Sequence, residues 1–384
     1  MEGHSPELPP EILEEILALL EIPDLVRASS VCSSWNSAYT SLRGSIGHYR
    51  RPQTPCLIYT SDSAGENVAC LYSLAEKKTY RLTLPEPPIH RRGEQIALPS
   101  VITIEQVTPI FDDAGAICEY QYSQHTARWR TGETVMLALD KLRDHLFHKA
   151  LVFEDSSAGG YLVVLIHSPY GQLSFAWSGD EKWTWLPSHT HVQDCIYKDG
   201  LLYAVTVFGE IVAFNLSGTM VTTNIIMDRT RNSHGCERVY IVQAPWGDLL
   251  QVRRPEVWVD KELDGNADIS IFQNNTVRME IYKVCTAEKR LVEIKSLDGL
   301  VLFLGHNQSL CSRAEDYPQL KPNHVYFTDD ARSATSKKRF YCHLVIGVLN
   351  YETKSVEEIV FPRPWSNWHS PLLIIPNLSK TLHG

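Results

Sequence analysis

Residues 8–35 read Leu-Pro-Pro-Glu-Ile-Leu-Glu-Glu-Ile-Leu-Ala-Leu-Leu-Glu-Ile-Pro-Asp-Leu-Val-Arg-Ala-Ser-Ser-Val-Cys-Ser-Ser-Trp. Pro9 and Pro10 suit the first turn of a helix, where a missing amide donor costs nothing. Ile12, Leu13, Ile16, Leu17 and Leu20 then recur at helical spacing. Glu11, Glu14 and Glu15 fall near the positive end of that helix's dipole. Pro23 is expected to stop the helix, Asp24 to cap a second one through Ser30, and Ser33 to cap a third carrying Trp35 and Tyr39. Three short helices of this size cannot cover so many apolar side chains among themselves. The block must lean on something else.

Beyond residue 55 the period changes. Short runs rich in Val, Ile, Tyr and Phe follow one another, divided by Gly, Asp, Asn and Pro, as β-strands require. Lys141–Phe147 is the one short helix expected in this part. Gly160, Gly200, Gly247 and Gly299 each precede an apolar run, at intervals of 40, 47 and 52 residues. A period of about 40–50 residues with several strands per unit is the signature of propeller blades. The expected fold is mainly β: a three-helix amino-terminal module, then a kelch-like β-propeller of about six or seven blades. A pair of β-sandwiches is the alternative.

The helical run resembles an F-box: Leu-Pro, a Glu-Ile-Leu helix, a Pro/Asp-Leu turn and a final Val-Cys-x-x-Trp. The resemblance implies docking on a Skp-type adaptor and, through it, a cullin, in an SCF ubiquitin ligase. On that reading Leu8, Pro9, Ile12, Leu13, Ile16, Val31, Cys32 and Trp35 line or support the adaptor contact. The remainder is similar to the KIB-type β-propeller found behind plant F-boxes. Among the motifs that carry this are Gly179-Asp180-x-x-Trp183, Asp199-Gly200-Leu201-Leu202-Tyr203, Gly247-Asp248-Leu249-Leu250 and Asn323-x-Val325-Tyr326-Phe327. One departure stands out: Ile89-His90-Arg91-Arg92 runs straight into Gly93, where related sequences carry about two more strands, so an incomplete early blade is expected. The expected organisation is an F-box at 1–45, a linker at 46–55, a propeller at 56–376 and a tail at 377–384. What the family implies is a non-catalytic substrate-recognition adaptor whose propeller binds a client protein. A ligase-independent scaffold and a small-ligand-binding propeller are the alternatives.

Composition agrees with an ordinary folded chain: 384 residues, 43% hydrophobic, 21% charged and net charge −9. That balance argues against nucleic-acid binding, which needs a basic face. Arg50-Arg51, Arg91-Arg92 and Arg253-Arg254 read as solvated turns, and Lys337-Lys338-Arg339 is weak as a nuclear signal. Nine cysteines without a C-x-x-C pair suggest neither a disulfide framework nor a zinc site. With no signal-peptide pattern and no long apolar run, a cytoplasmic or nuclear location is expected.

No catalytic or cofactor motif stands out. There is no G-x-x-x-x-G-K-[ST], G-x-S-x-G or H-E-x-x-H sequence. His145 with His148, and His189 with His191, have metal-like spacing but lack a third ligand nearby. Asp112-Asp113 and Asp329-Asp330 read as turn acids that cap backbone amides. Trp177, Trp183, Trp185 and Trp246 read first as packing residues, and an exposed one could grip a partner.

Overall fold

The structure is a computed structural model of the chain. It describes residues 8–44, 53–61, 63–65, 68–83, 98–125, 133–138, 141–142, 146–155, 160–186, 191–218, 220–230, 237–255, 258–262, 270–274, 278–317, 319–328, 346–359 and 371–375. Two compact units organise it. The first takes in Met1–Gln95, Ala314–Lys321 and Leu373–Gly384; the second takes in Ile96–Arg313 and Pro322–Leu372.

The first unit opens with three helices: α1 (Pro10–Ala18), α2 (Ile22–Ser29) and α3 (Ser33–Gly44). Two local expectations fail. α1 ends before Pro23, and Pro23 sits in the first turn of α2, where its missing N–H is one of the spare donors. Glu21, not Asp24, takes the N-cap position of α2. After the helices come β1 (Cys56–Thr60), β2 (Val68–Ser73) and β3 (Lys78–Thr83), paired antiparallel in sequence order.

The second unit is mainly β, with one 3-10 turn at Val101–Thr103 and a few helical residues before the chain's seventh strand. A three-stranded sheet of β4 (Val107–Phe111), β5 (Ile117–Ser123) and β6 (Thr134–Leu137) comes first. It has one strand fewer than the sheets around it among the described residues, while the junction at 92–93 lies outside them. Two four-stranded meanders follow: β7 (Phe147–Asp155), β8 (Gly160–His167), β9 (Gln172–Trp177) and β10 (Thr184–Leu186), then β11 (Val192–Lys198), β12 (Leu201–Thr206), β13 (Ile211–Asn215) and β14 (Thr222–Met227). The expected helix at Lys141–Phe147 shrinks: Lys141, Leu142 and Leu146 are helical, but Phe147 already opens β7.

β15 (Glu237–Gln243), β16 (Leu249–Pro255), β19 (Glu280–Cys285) and β20 (Arg290–Ile294) form another four-stranded sheet. The hairpin β17 (Trp258–Glu262) and β18 (Ser270–Asn274) is inserted within it. The last large sheet runs in the order β22 (Leu310–Arg313), β21 (Leu300–Leu304), β23 (His324–Phe327), β24 (Gly347–Asn350) and β25 (Val356–Glu358). Its β21 and β23 are parallel, whereas its other pairs are antiparallel. Finally β26 (Leu372–Ile374) pairs with β1, so the end of the chain closes the first sheet.

The architecture is thus mainly β and propeller-like, with three helices ahead of a succession of small antiparallel sheets. The glycine-led strands β8, β12, β16 and β21 each lie between two neighbours in their sheets. Largely buried, β8, β12 and β21 read as near-continuous apolar runs, whereas β16 also buries Gln251, Arg253 and Arg254; all five residues of β21 are buried. Gly200 and Gly247 adopt φ of +79° and +97°, which the tight turns entering β12 and β16 demand.

Candidate functional site

The helical block divides its apolar residues into two sets. Leu13 and Leu17 of α1, Leu25 and Ala28 of α2, and Ala38 and Leu42 of α3 bury one another, with Trp35 and Tyr39 packed against them. Spacing explains the choice: 13 and 17, and 38 and 42, lie four apart on one helix face. A second set faces out. Ile12, Ile16 and Leu19 are related by four and three residues along α1; Ile12 is 42% exposed and Leu19 66%. Leu8, Val26 and Val31 are also exposed, Val31 at 67%, as are Pro9 and Cys32. Of the residues expected at an adaptor contact, Leu8, Pro9, Ile12, Val31 and Cys32 therefore lie outward and Ile16 is half-buried. Leu13 is buried and Trp35 half-buried in the helical core, a supporting place. Leu19 and Val26 are outward residues that sequence reading left out; the available signal was their offset from the buried Leu13/Leu17 pair of α1 and the Leu25/Ala28 pair of α2.

The block is fastened to the sheet behind it. The Ile22 amide, an orphan donor at the start of α2, donates to Gln53 Oε1 at 2.7 Å. Thr54 Oγ1 donates to Glu21 Oε1 at 2.6 Å. Gln53 and Thr54 are buried, so this part of the expected linker acts as a strap. Arg27 makes a two-pronged pair with Glu76, at 2.7 and 3.0 Å, and also donates to the Tyr80 hydroxyl and to Asp24. The Arg27 hydrogen bond holds the Glu76 carboxyl below its ordinary range, and burial followed by Glu76 raises the Tyr80 phenol. Burial pushes the Cys56 thiol up to about 11, so it is an inert packing group.

In the second unit the sequence hid a buried polar centre. Lys149 of β7 donates to Asp194 Oδ1 of β11 at 2.7 Å, with side chains 5% and 0% exposed. Asp194 Oδ2 accepts from Ser309 Oγ at 2.7 Å and from the Ile241 amide of β15 at 3.2 Å; its own Oδ1 also takes the Cys195 amide at 3.0 Å. Lys149 lies 5.8 Å from the Tyr240 ring centre. One carboxylate thus ties together four successive sheets. Arg253-Arg254 also overturns an expectation, for both are buried in β16 and neither lies in a solvated turn. Arg253 stacks on Tyr282 at 5.1 Å and bonds Gln251 and Thr230, while Arg254 lies 4.7 Å over Phe327 and donates to the Thr328 carbonyl. Aromatic faces and carbonyls replace the water a guanidinium would otherwise need.

The remaining candidates divide plainly. Asp112 Oδ1 accepts the Ala114 and Ala116 amides, the capping role expected of it. His148 Nε2 pairs with Ser168 Oγ at 2.6 Å, and His191 packs between Tyr170 and Phe208. His145, His189, Asp329-Asp330, Arg50-Arg51, Arg91-Arg92 and Lys337-Lys338-Arg339 lie outside the described residues. Among the described residues no three His, Cys, Asp or Glu side chains converge as a metal site. Trp183 is buried with its indole N–H on the Pro99 carbonyl; Trp177 packs edge-on against Tyr197; Trp185 donates to Gln172. Trp246 is 55% exposed and donates to Asp248.

Comparison with known proteins agrees with both parts. The KIB1-4 beta-propeller family profile matches residues 71–350, and an F-box-like profile matches residues 5–42. The Arabidopsis thaliana F-box protein SKIP23 is 24% identical over 355 residues, 83% of each chain. The F-box/kelch-repeat protein At1g57790, also from Arabidopsis thaliana, is 22% identical over 69% of this chain and 76% of its own. The N-terminal domain of Nup159 aligns over 80% of this chain and 89% of that one at 13% identity, but its TM-score of 0.25 is too low to say anything of the fold. Since the propeller profile spans well over half of the sequence, the chain belongs to the KIB1-4 beta-propeller family, with an F-box-like module at its amino-terminal end.

Proposed function

We propose that this chain is the substrate-recognition adaptor of an SCF ubiquitin ligase. F-box proteins that carry a β-propeller serve generally in that role, and F-box family proteins are typically non-catalytic. On this reading α1–α3 dock on a Skp-type adaptor, a cullin is reached through it, and the propeller holds a client protein in the cytoplasm or nucleus. What supports the reading most is the outward apolar set Leu8, Ile12, Leu19, Val26 and Val31 on a block whose inward set already forms a closed core. Covering each such aliphatic contributes about 1.5–3 kcal/mol, so a few suffice for a tight complex. The client's gain is proximity: its lysines are held near the charged conjugating enzyme.

Co-expression with a Skp-type adaptor tests this. The wild-type chain should carry the adaptor through two purification steps, and Leu8→Ala/Pro9→Ala should lose it while keeping its thermal transition. Recovery unaffected by the double substitution, or no recovery at all, would end the proposal. Ubiquitination of a co-purified client in a reconstituted reaction separates it from a ligase-independent scaffold.

A further inference from the structure

We propose that α2 is a two-point mount fixing the direction in which the helical block, and the ligase docked on it, is held relative to the first sheet. Gln53, Arg27, Glu76 and Tyr80 are then positioning residues for ubiquitin transfer. This rests on the adaptor reading and supplies the geometry that reading leaves open.

One fastening leaves a rigid block free to swivel about it; two on the same helix do not. The first lies at the start of α2, where the Ile22 amide donates to Gln53 Oε1 at 2.7 Å and Thr54 Oγ1 donates to Glu21 Oε1 at 2.6 Å. The second is at Arg27, whose fork donates to both Glu76 carboxylate oxygens, at 3.0 and 2.7 Å. Helical rise from Ile22 to Arg27 puts the two points about 7.5 Å apart along α2. They also reach different parts of one sheet. Gln53 and Thr54 lead into β1, whereas Glu76 lies in the turn from β2 to β3.

Each side of the mount is itself held. Leu25 and Ala28 of α2 are buried with Leu13, Leu17, Ala38 and Leu42, so whatever fixes α2 also fixes α1 and α3. On the sheet side the Glu76 amide donates to Ser73 Oγ at 3.2 Å and the Lys77 amide to the Ser73 carbonyl at 2.9 Å, which sets the turn. Tyr80 of β3 donates to Glu76 and accepts from Arg27, joining the three side chains in one network. Arg27 and Lys78 lie 5.9 and 5.4 Å from the Tyr80 ring centre. β1 pairs with both β2 and β26, so the base is a four-stranded sheet and not a loose hairpin. The Arg27 side chain is 49% exposed, and an ion pair so open to water is a weak source of stability. A two-pronged guanidinium–carboxylate pair does, however, fix orientation. In ubiquitin transfer a lysine amine attacks the thioester on the conjugating enzyme; an isopeptide bond forms, the enzyme's thiol leaves and the amine's proton passes to solvent. Only lysines that reach the thioester react, so the direction of the docked ligase selects them.

The test reconstitutes transfer with the full chain, a Skp-type adaptor, a cullin assembly and a charged conjugating enzyme. The chain's own lysines serve as acceptors, and mass spectrometry maps which are modified. Wild type should modify a restricted set. Arg27→Ala/Gln53→Ala should lower the share carried by that set at least about twofold while binding the adaptor as tightly as wild type. A merely weakened fold would lower every site together and leave the proportions alone. Arg27→Glu should also spread the pattern, and the exchange Arg27→Glu/Glu76→Arg should narrow it again. Proportions equal to wild type in Arg27→Ala/Gln53→Ala, no rescue by the exchange, or a wild-type pattern that is unrestricted or empty with adaptor bound would overturn the proposal and leave adaptor docking standing. A wild-type chain that binds no adaptor would end both.

Discussion

Asp194→Ala removes one carboxylate from the second unit and strands several groups at once. Asp194 is fully buried, and its two oxygens receive the Lys149 ammonium, the Ser309 hydroxyl and the Ile241 and Cys195 amides. The largest single loss is the partner of Lys149, whose charge stays 5% exposed. Breaking a buried pair from one side typically costs about 3–5 kcal/mol, because the surviving charge is uncompensated. The stranded amides and hydroxyl could each add about 1 kcal/mol or more, though such terms do not sum fully within one network. Whole domains are stable by only about 5–15 kcal/mol, so Asp194→Ala should bring the second unit close to its threshold. Lys149→Met/Asp194→Leu is the decisive companion, since with neither charge present it should be less destabilised than Asp194→Ala alone. Urea unfolding followed by tryptophan fluorescence suits the purpose, because Trp177, Trp183, Trp185 and Trp246 all lie in this unit. A shift below about 0.5 kcal/mol for Asp194→Ala, or strictly additive single effects, would refute the reasoning.

Leu17→Ala, at a fully buried position in the helical core, should destabilise the first unit by about 2–5 kcal/mol, whereas exposed Ile12→Ala should leave its melting unchanged; calorimetry distinguishes the two. Gln53→Ala should orphan the Ile22 amide at a cost of about 1 kcal/mol, seen as faster hydrogen exchange at the start of α2. His167 is fully buried, and desolvation lowers its pKa from 6.5 to about 4, offset in part by its bond to the Ser168 carbonyl. The unfolded chain therefore binds this proton first as pH falls, so stability present above pH 6.5 should decline towards pH 4 by about 3 kcal/mol. His167→Gln should flatten that slope in urea titrations across the same window; an unchanged slope would contradict it.

The helical block was legible because prolines, acids and an apolar 3.6-residue period all agreed. The interior strands β8, β12 and β21 were legible for a related reason: they are largely buried, near-continuous apolar runs announced by a glycine, and β16 shared only the glycine and its opening Leu249-Leu250. Strands with exposed or polar residues were not. β14, Thr222–Met227, exposes its first four residues, and β20, Arg290–Ile294, mixes charge with apolar side chains, so neither stands out as an apolar run. β11 hid for the opposite reason: Gln193 and Asp194 look like turn residues, yet they lie within a buried strand, Asp194 satisfied by groups from three other strands or loops. Such a partner set is assembled by long-range pairing and leaves no local period. Arg253-Arg254 was misread likewise, since the rings of Tyr282 and Phe327 that receive the two guanidinia are remote in sequence.

Calorimetric titration of a Skp-type adaptor into the purified full-length chain, beside Leu8→Ala/Ile12→Ala/Val31→Ala, addresses the adaptor surface itself. Wild type should bind one adaptor with a negative heat-capacity change, the mark of apolar burial, and the triple variant should fold normally yet give no measurable heat of binding. Binding of equal strength by a correctly folded triple variant, or none by wild type, would contradict the account.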